Sequence, residues 1–96
     1  MTGWFYILRL KSDGLYIGST SDFQSRMKDH FSGNGSRTTS LDPPVSIALT
    51  EEYLSYKEAF HREQQVKRWS RAKKEALIKG DYELLKQLSK RKHIAR

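Results

Sequence analysis

Arg26 and His30 stand four apart, a spacing that puts a fixed cation and a proton carrier on one face of a helix. They can reach one ligand together. Tyr6 and Tyr16 lie in two apolar runs, WFYILRL and GLYIGST, with only three polar residues between the runs. Glu63 falls with Tyr56, Phe60 and Lys67 at the i, i+4, i+7, i+11 spacing of one helix face, with Ala59 and Val66 beside them. A carboxylate on a face that packs inward needs a partner, either an arginine at the core margin or a ligand.

These side chains meet only if the elements bring them together. WFYILRL and LYIGS are short, aromatic and β-branched, which predicts two strands joined as a hairpin. A two-residue Asp13-Gly14 loop would send Tyr6 and Tyr16 to opposite faces. A three-residue loop, Ser12-Asp13-Gly14 with Gly14 left-handed, would put both on one face, and this is the expected arrangement. Ser21 with Gln24 reads as a capping box ahead of a helix over 22–32, with Phe23, Met27 and Phe31 as its apolar stripe. SGNGSRTTSLDPP reads as a loop, and VSIALTEEY as a third strand. Ser55 with Glu58 opens a helix from about Tyr56 to Trp69, Ser70 caps a helix that stops at Gly80, and Asp81 caps a last one running into SKRKHIAR. The expected fold is therefore α/β (α+β), a small three-stranded antiparallel sheet flanked by helices. Residues 1–80 form the main body, with a C-terminal helix and basic tail at 81–96 packed on it or extending from it.

Charge is unevenly spread. The chain carries a net +7, with −1 in residues 1–56 and +8 in residues 57–96. Such asymmetry fits a polyanion partner, whose condensed counterions are released on binding, or else a solvated lysine-rich helical surface. There is no cysteine, which excludes disulfides, thiolate metal sites and a cysteine nucleophile in this chain. No apolar run approaches the roughly 18 residues of a membrane span, so a cytoplasmic protein without a membrane partner is expected.

As a linked set, these motifs resemble the GIY-YIG nucleases over roughly Trp4 to Ile78. The two strand motifs that name the family read WFY, ending at Tyr6, and YIG, Tyr16 to Gly18. YIGSTSDFQSRMKDH is similar to the family's second strand and first helix, with its arginine at Arg26 and a histidine one turn on at His30. EAFHREQQVKRWSRAKKEALI is similar to the segment holding the metal-binding glutamate, at Glu63, followed by Lys67, as in small stand-alone bacterial members resembling the nuclease domains of excision-repair and structure-specific endonucleases. Two departures stand out. WFY replaces GIY, and the sole asparagine is Asn34, so the asparagine that some members carry after the glutamate is absent.

The resemblance implies a metal-dependent endonuclease hydrolysing DNA phosphodiester bonds, possible roles being DNA repair or recombination. It implies one Mg²⁺ or Mn²⁺ held by Glu63 and facing the leaving oxygen, with Arg26 on the scissile phosphate. Tyr6 would be the base or orient the water, its phenol depressed from about 10 by neighbouring cations. Tyr16, His30 or Lys67 would share that load. Gly18 would allow close backbone approach, while Arg37, Lys67, Arg71, Lys73 and Lys74 would bind nucleic acid. The expected partner is branched or damaged DNA, met by a monomer whose specificity other proteins supply. A non-catalytic nucleic-acid-binding module on the same fold would need neither Glu63 nor Tyr6, and a protein adaptor would use exposed aromatics such as Trp69.

Overall fold

Phe5, Tyr6, Ile7 and Leu8 are four consecutive buried residues, which requires a strand covered on both faces. In the computed structural model, which describes residues 2–94 and side chains as far as residue 90, β1 (Gly3–Leu10) is that strand. It lies between β2 (Leu15–Thr20) and β3 (Pro44–Tyr53), both antiparallel to it. The three-stranded antiparallel sheet and flanking helices match the expected architecture. Of the C-terminal helix and basic tail expected at 81–96, residues 82–94 continue as helix, and residues 95 and 96 lie outside the described residues.

The sheet separates two cores. Odd-numbered residues Phe5, Ile7 and Ile17 pack with Val66 and Leu77, while Tyr6, Leu8 and Leu10 pack with Met27. Each such large apolar side chain contributes on the order of 1.5–3 kcal/mol when fully buried. Helix α1 (Phe23–Ser32) covers the even-numbered face; α2 (Arg37–Leu41) follows it, and α3 (Tyr56–Lys67) packs along β1 and β2. α4 (Arg71–Lys79) supplies Leu77 to the odd-numbered core, and α5 (Tyr82–Ile94) lies against α4 with Leu85 at that core.

Several local expectations are corrected. Leu8 stands opposite Tyr16 and Tyr6 opposite Gly18, so the rings share a face as expected, but the loop is Lys11-Ser12-Asp13. Leu10 N–H donates to Gly14 O at 2.9 Å, and Asp13 takes the left-handed position with φ 75° while Gly14 does not. Aspartate tolerates that conformation better than most residues. Here Arg71 holds it by its carbonyl at 2.7 Å and its carboxylate at 3.3 Å. The same arginine joins Arg9 on Glu75, Arg9 binding it through two bonds of 2.6 and 2.9 Å, so one network clamps the hairpin to α4. The cap of α1 is Asp22, accepting from Ser25 N–H at 3.2 Å, in place of the Ser21 box. Phe31 is 47% exposed, and His30 occupies the buried position expected of it. The segment read wholly as a loop contains α2, capped by Ser36. On α3, Ala59, Glu63 and Val66 are buried while Tyr56 and Phe60 face outward.

Candidate active site

Tyr6 projects from the centre of β1 and Tyr16 from β2, and the hairpin register stacks their rings with centroids 6.4 Å apart. α1 then lays His30 edge-on to both, at 5.6 Å from Tyr6 and 5.0 Å from Tyr16. Tyr6 Oη and His30 Nε2 are 2.9 Å apart, and His30 Nδ1 lies 2.9 Å from Thr39 Oγ1 on α2. One turn before His30, the Arg26 guanidinium lies against both phenols, Tyr6 foremost. Four expected site residues thus converge.

Gly18 makes this convergence possible. A Cβ there would stand 2.5 Å from the Tyr6 Cζ and Oη atoms, so only glycine lets the phenol lie across β2. Its close approach is to Tyr6 rather than to a ligand's backbone.

Burial governs the protonation of the pair. It pushes Tyr6 up to about 12, overriding the Arg26 hydrogen bond that pulls the other way, with Tyr16 adding to the rise. The expectation that cations depress this phenol is therefore reversed. Burial also pushes His30 below its ordinary value, helped by Arg26. Both groups are neutral near pH 7.

Glu63 reaches the site from the other side of β2. The Ser19 hydroxyl donates to its Oε1, Lys67 Nζ lies 2.8 Å from Oε2, and the side chain of Gln64 is 3.5 Å from that oxygen. Ser19 and Lys67 hold this carboxylate where an arginine at the core margin was the alternative. The two clusters adjoin: Glu63 contributes to the field at Tyr6, and Tyr16 to that at Lys67. The donors suit a hard divalent cation, because Glu63 offers one anionic oxygen ligand beside a neutral hydroxyl. Among the described residues no group of three acidic, histidine or cysteine ligands could hold a metal. Mg²⁺, which keeps most of its water shell, fits a site with a single carboxylate; zinc would require more ligands.

The expected nucleic-acid contacts divide. Arg37 opens α2 on the surface, two residues from the threonine that touches His30, and Lys67 borders Glu63. Arg71 is committed to Asp13 and Glu75, and Lys73 lies 4.2 Å above the Trp69 ring, which is half-buried between Lys73 and Arg62. Lys74 lies beside Lys73 on α4.

Ser19 and Thr39 were absent from the sequence-based set. Ser19 has the same strand parity as Ile17, which could have pointed to it; Thr39 sits three residues after Ser36, a spacing that suits a cap but carries no signal of contact with His30.

The profile of the GIY-YIG catalytic domain matches residues 2–76. The chain belongs to the GIY-YIG family. A UPF0213 protein of Halalkalibacterium halodurans is 38% identical over 92 residues, covering 93% of this chain and 98% of the relative. One from Halobacterium salinarum is 39% identical over 73 residues, covering 76% and 95%. The solution NMR structure of a UPF0213 protein from Bacillus halodurans superposes with a TM-score of 0.55 at 38% identity, over 82% of this chain and 84% of that one. GIY-YIG membership implies nuclease-type chemistry. Among the described residues, no helix is long and apolar enough to cross a membrane.

Proposed function

We propose that this chain is an endonuclease that hydrolyses DNA phosphodiester bonds with the aid of one divalent ion, Mg²⁺ or Mn²⁺. The observation that carries this reading is the Tyr6 hydroxyl, buried beside Arg26 and 2.9 Å from the neutral His30 Nε2. With its affinity for the proton raised, Tyr6 is no standing phenolate; it takes a proton from the attacking water as its own proton passes to Nε2. The oxygen–phosphorus bond forms as that proton leaves, and the bond to the leaving oxygen breaks. Arg26 donates to the phosphoryl oxygens and Tyr16 packs the pair from the side. Glu63 would hold the ion, with Ser19 orienting the carboxylate and Lys67 yielding its place on Oε2. A bound divalent ion supplies positive charge where the leaving oxygen becomes negative.

Arg37, Lys67, Lys73 and Lys74 are proposed phosphate contacts, and Arg71 is reassigned to holding the hairpin. Branched or damaged DNA, met during repair or recombination, is the proposed substrate class. The test is cleavage across a panel of branched and linear DNAs with and without Mg²⁺, alongside Glu63→Gln and Tyr6→Phe. Both variants are expected to bind DNA while losing at least about 100-fold in rate. Retained Mg²⁺-dependent cleavage by pure Glu63→Gln protein overturns the metal assignment, and binding without cleavage by the unaltered chain favours the non-catalytic module.

A further inference from the structure

Thr39 belongs to a five-residue helix in a polar segment, yet it is fully buried. Its capping duty alone does not require that. In the capping box, Thr39 N–H donates to Ser36 Oγ at 3.1 Å and Ser36 N–H donates to Thr39 Oγ1 at 3.2 Å. At the corresponding position of α3, Glu58 donates its N–H to the capping Ser55 hydroxyl from an exposed position. What distinguishes Thr39 is that its oxygen also meets His30 Nδ1 at 2.9 Å, while Gly35 closes over the pair: a Cβ at Gly35 would stand 2.5 Å from Nδ1 and 3.0 Å from Thr39 Oγ1.

Donor and acceptor chemistry then selects the tautomer of His30. A neutral imidazole carries one N–H. Tyr6 must place its own proton on an acceptor, and Arg26 beside it can only donate, which leaves Nε2 as the acceptor. The ring proton therefore resides on Nδ1, and Thr39 Oγ1 receives it. The Thr39 hydroxyl proton has the Ser36 carbonyl at 3.2 Å, or Ser36 Oγ at the same distance, to go to. Every polar atom is satisfied in this arrangement, in keeping with the lack of unpartnered buried side-chain polar atoms among the described residues. Reversing the ring proton would leave the Tyr6 proton facing an N–H.

We infer that Thr39 is a positioning residue, which holds His30 in the Nδ1–H tautomer so that Nε2 stays unprotonated toward Tyr6. The inference rests on the reading of His30 as the proton acceptor for Tyr6. It gives α2 a task in the reaction, since that short helix carries the side chain that orients the histidine.

The test reads the tautomer directly in the uniformly ¹⁵N-labelled full chain, by long-range ¹⁵N–¹H correlation of its imidazole rings at neutral pH. His30 is assigned among the three histidines by the signals lost in His30→Gln. The expected result is one His30 set with Nδ1 shifted as a protonated nitrogen and Nε2 as an unprotonated one. Thr39→Val should shift both nitrogens toward the average of two tautomers and lower kcat on the order of 100-fold with KM nearly unchanged. Thr39→Ser should restore both. A His30 protonated on Nε2 in the unaltered chain overturns the inference, and so does a folded Thr39→Val protein whose tautomer is unmoved. The spectrum of the unaltered chain decides even where Thr39→Val fails to fold. Because the spectrum requires no substrate, a protein that proves unable to cleave DNA would refute the nuclease reading while leaving the positioning role measurable.

Discussion

Burial keeps Tyr6 and His30 neutral together, and this sets a pH dependence with a definite sign. Burial lowers His30 from its ordinary 6.5, so at mildly acidic pH the unfolded chain takes up a proton that the native ring refuses. Stability is therefore expected to fall as pH drops below about 6.5, and to stop falling once the native ring is itself protonated. Urea unfolding at a series of pH values checks this; His30→Gln should flatten that part of the curve, and an unchanged curve would contradict it. Cleavage should share the acid limb, since a protonated Nε2 accepts nothing. A second expectation concerns Gly18: Gly18→Ala forces the Tyr6 phenol off β2, at a cost of about 1–3 kcal/mol in thermal or urea unfolding together with loss of cleavage. Side-chain type and spacing made the meeting of Tyr6, Tyr16, Arg26 and His30 legible, and they made Glu63 legible as a carboxylate on an inward face. Thr39 and the direction of the Tyr6 shift were not, because both depend on how deeply α1 and α2 press onto the sheet. Tertiary packing decides that depth.

At the level of elements, the clamp between hairpin and α4 is the clearest stabilising device outside the two cores. Glu75 is held down to about 2 by the Arg9 hydrogen bonds and then by Arg71, so its contribution is present above the ordinary carboxylate value of 4.5 and lost as pH falls toward about 2. Glu75→Gln is expected to cost about 1–2 kcal/mol in urea unfolding at neutral pH, discounted for partial exposure of the pair. The loss should vanish near pH 2. The helices α3 and α4 could be read closely from sequence because serine caps and apolar spacing agree on where they begin. The five residues of α2 are too few to show a period, and the hairpin loop was displaced by one position because Arg71, far along the chain, holds Asp13 in a conformation that local preference would give to Gly14. The face of α3 was misjudged at Phe60, since apolar spacing does not say which of two adjoining stripes meets the sheet.

Across the whole molecule, the +8 of residues 57–96 is what an electrostatic DNA surface requires, but not every cation in it is equivalent. Lys74→Glu should weaken DNA binding and reduce the slope of log affinity against log salt by about 1, as one phosphate contact is lost. Arg71→Gln should instead lower the melting temperature and barely change that slope. Equal slopes for Lys74→Glu and the unaltered chain would mean that α4 is merely solvated. Charge asymmetry was readable from composition; which cations already serve internal partners became visible only when Asp13 and Glu75 were placed beside Arg71.

The position of β1 has a further consequence, in time rather than in space. It is synthesised before the two strands that flank it in the sheet, and one of these neighbours begins only at Pro44, with the covering helix α3 ending at Lys67. The hairpin can close within about 1–10 μs of β2 becoming available. The far edge of β1 and its Phe5 and Ile7 must wait for the chain through Lys67, an interval of roughly 2–10 s at typical elongation rates of about 5–20 residues per second. Throughout that interval the nascent chain presents an open strand edge and uncovered apolar side chains. The order of synthesis therefore places a period of exposure to aggregation and proteolysis before Glu63 can join Tyr6 and His30, and a pause in translation between Thr20 and Lys67 would lengthen it.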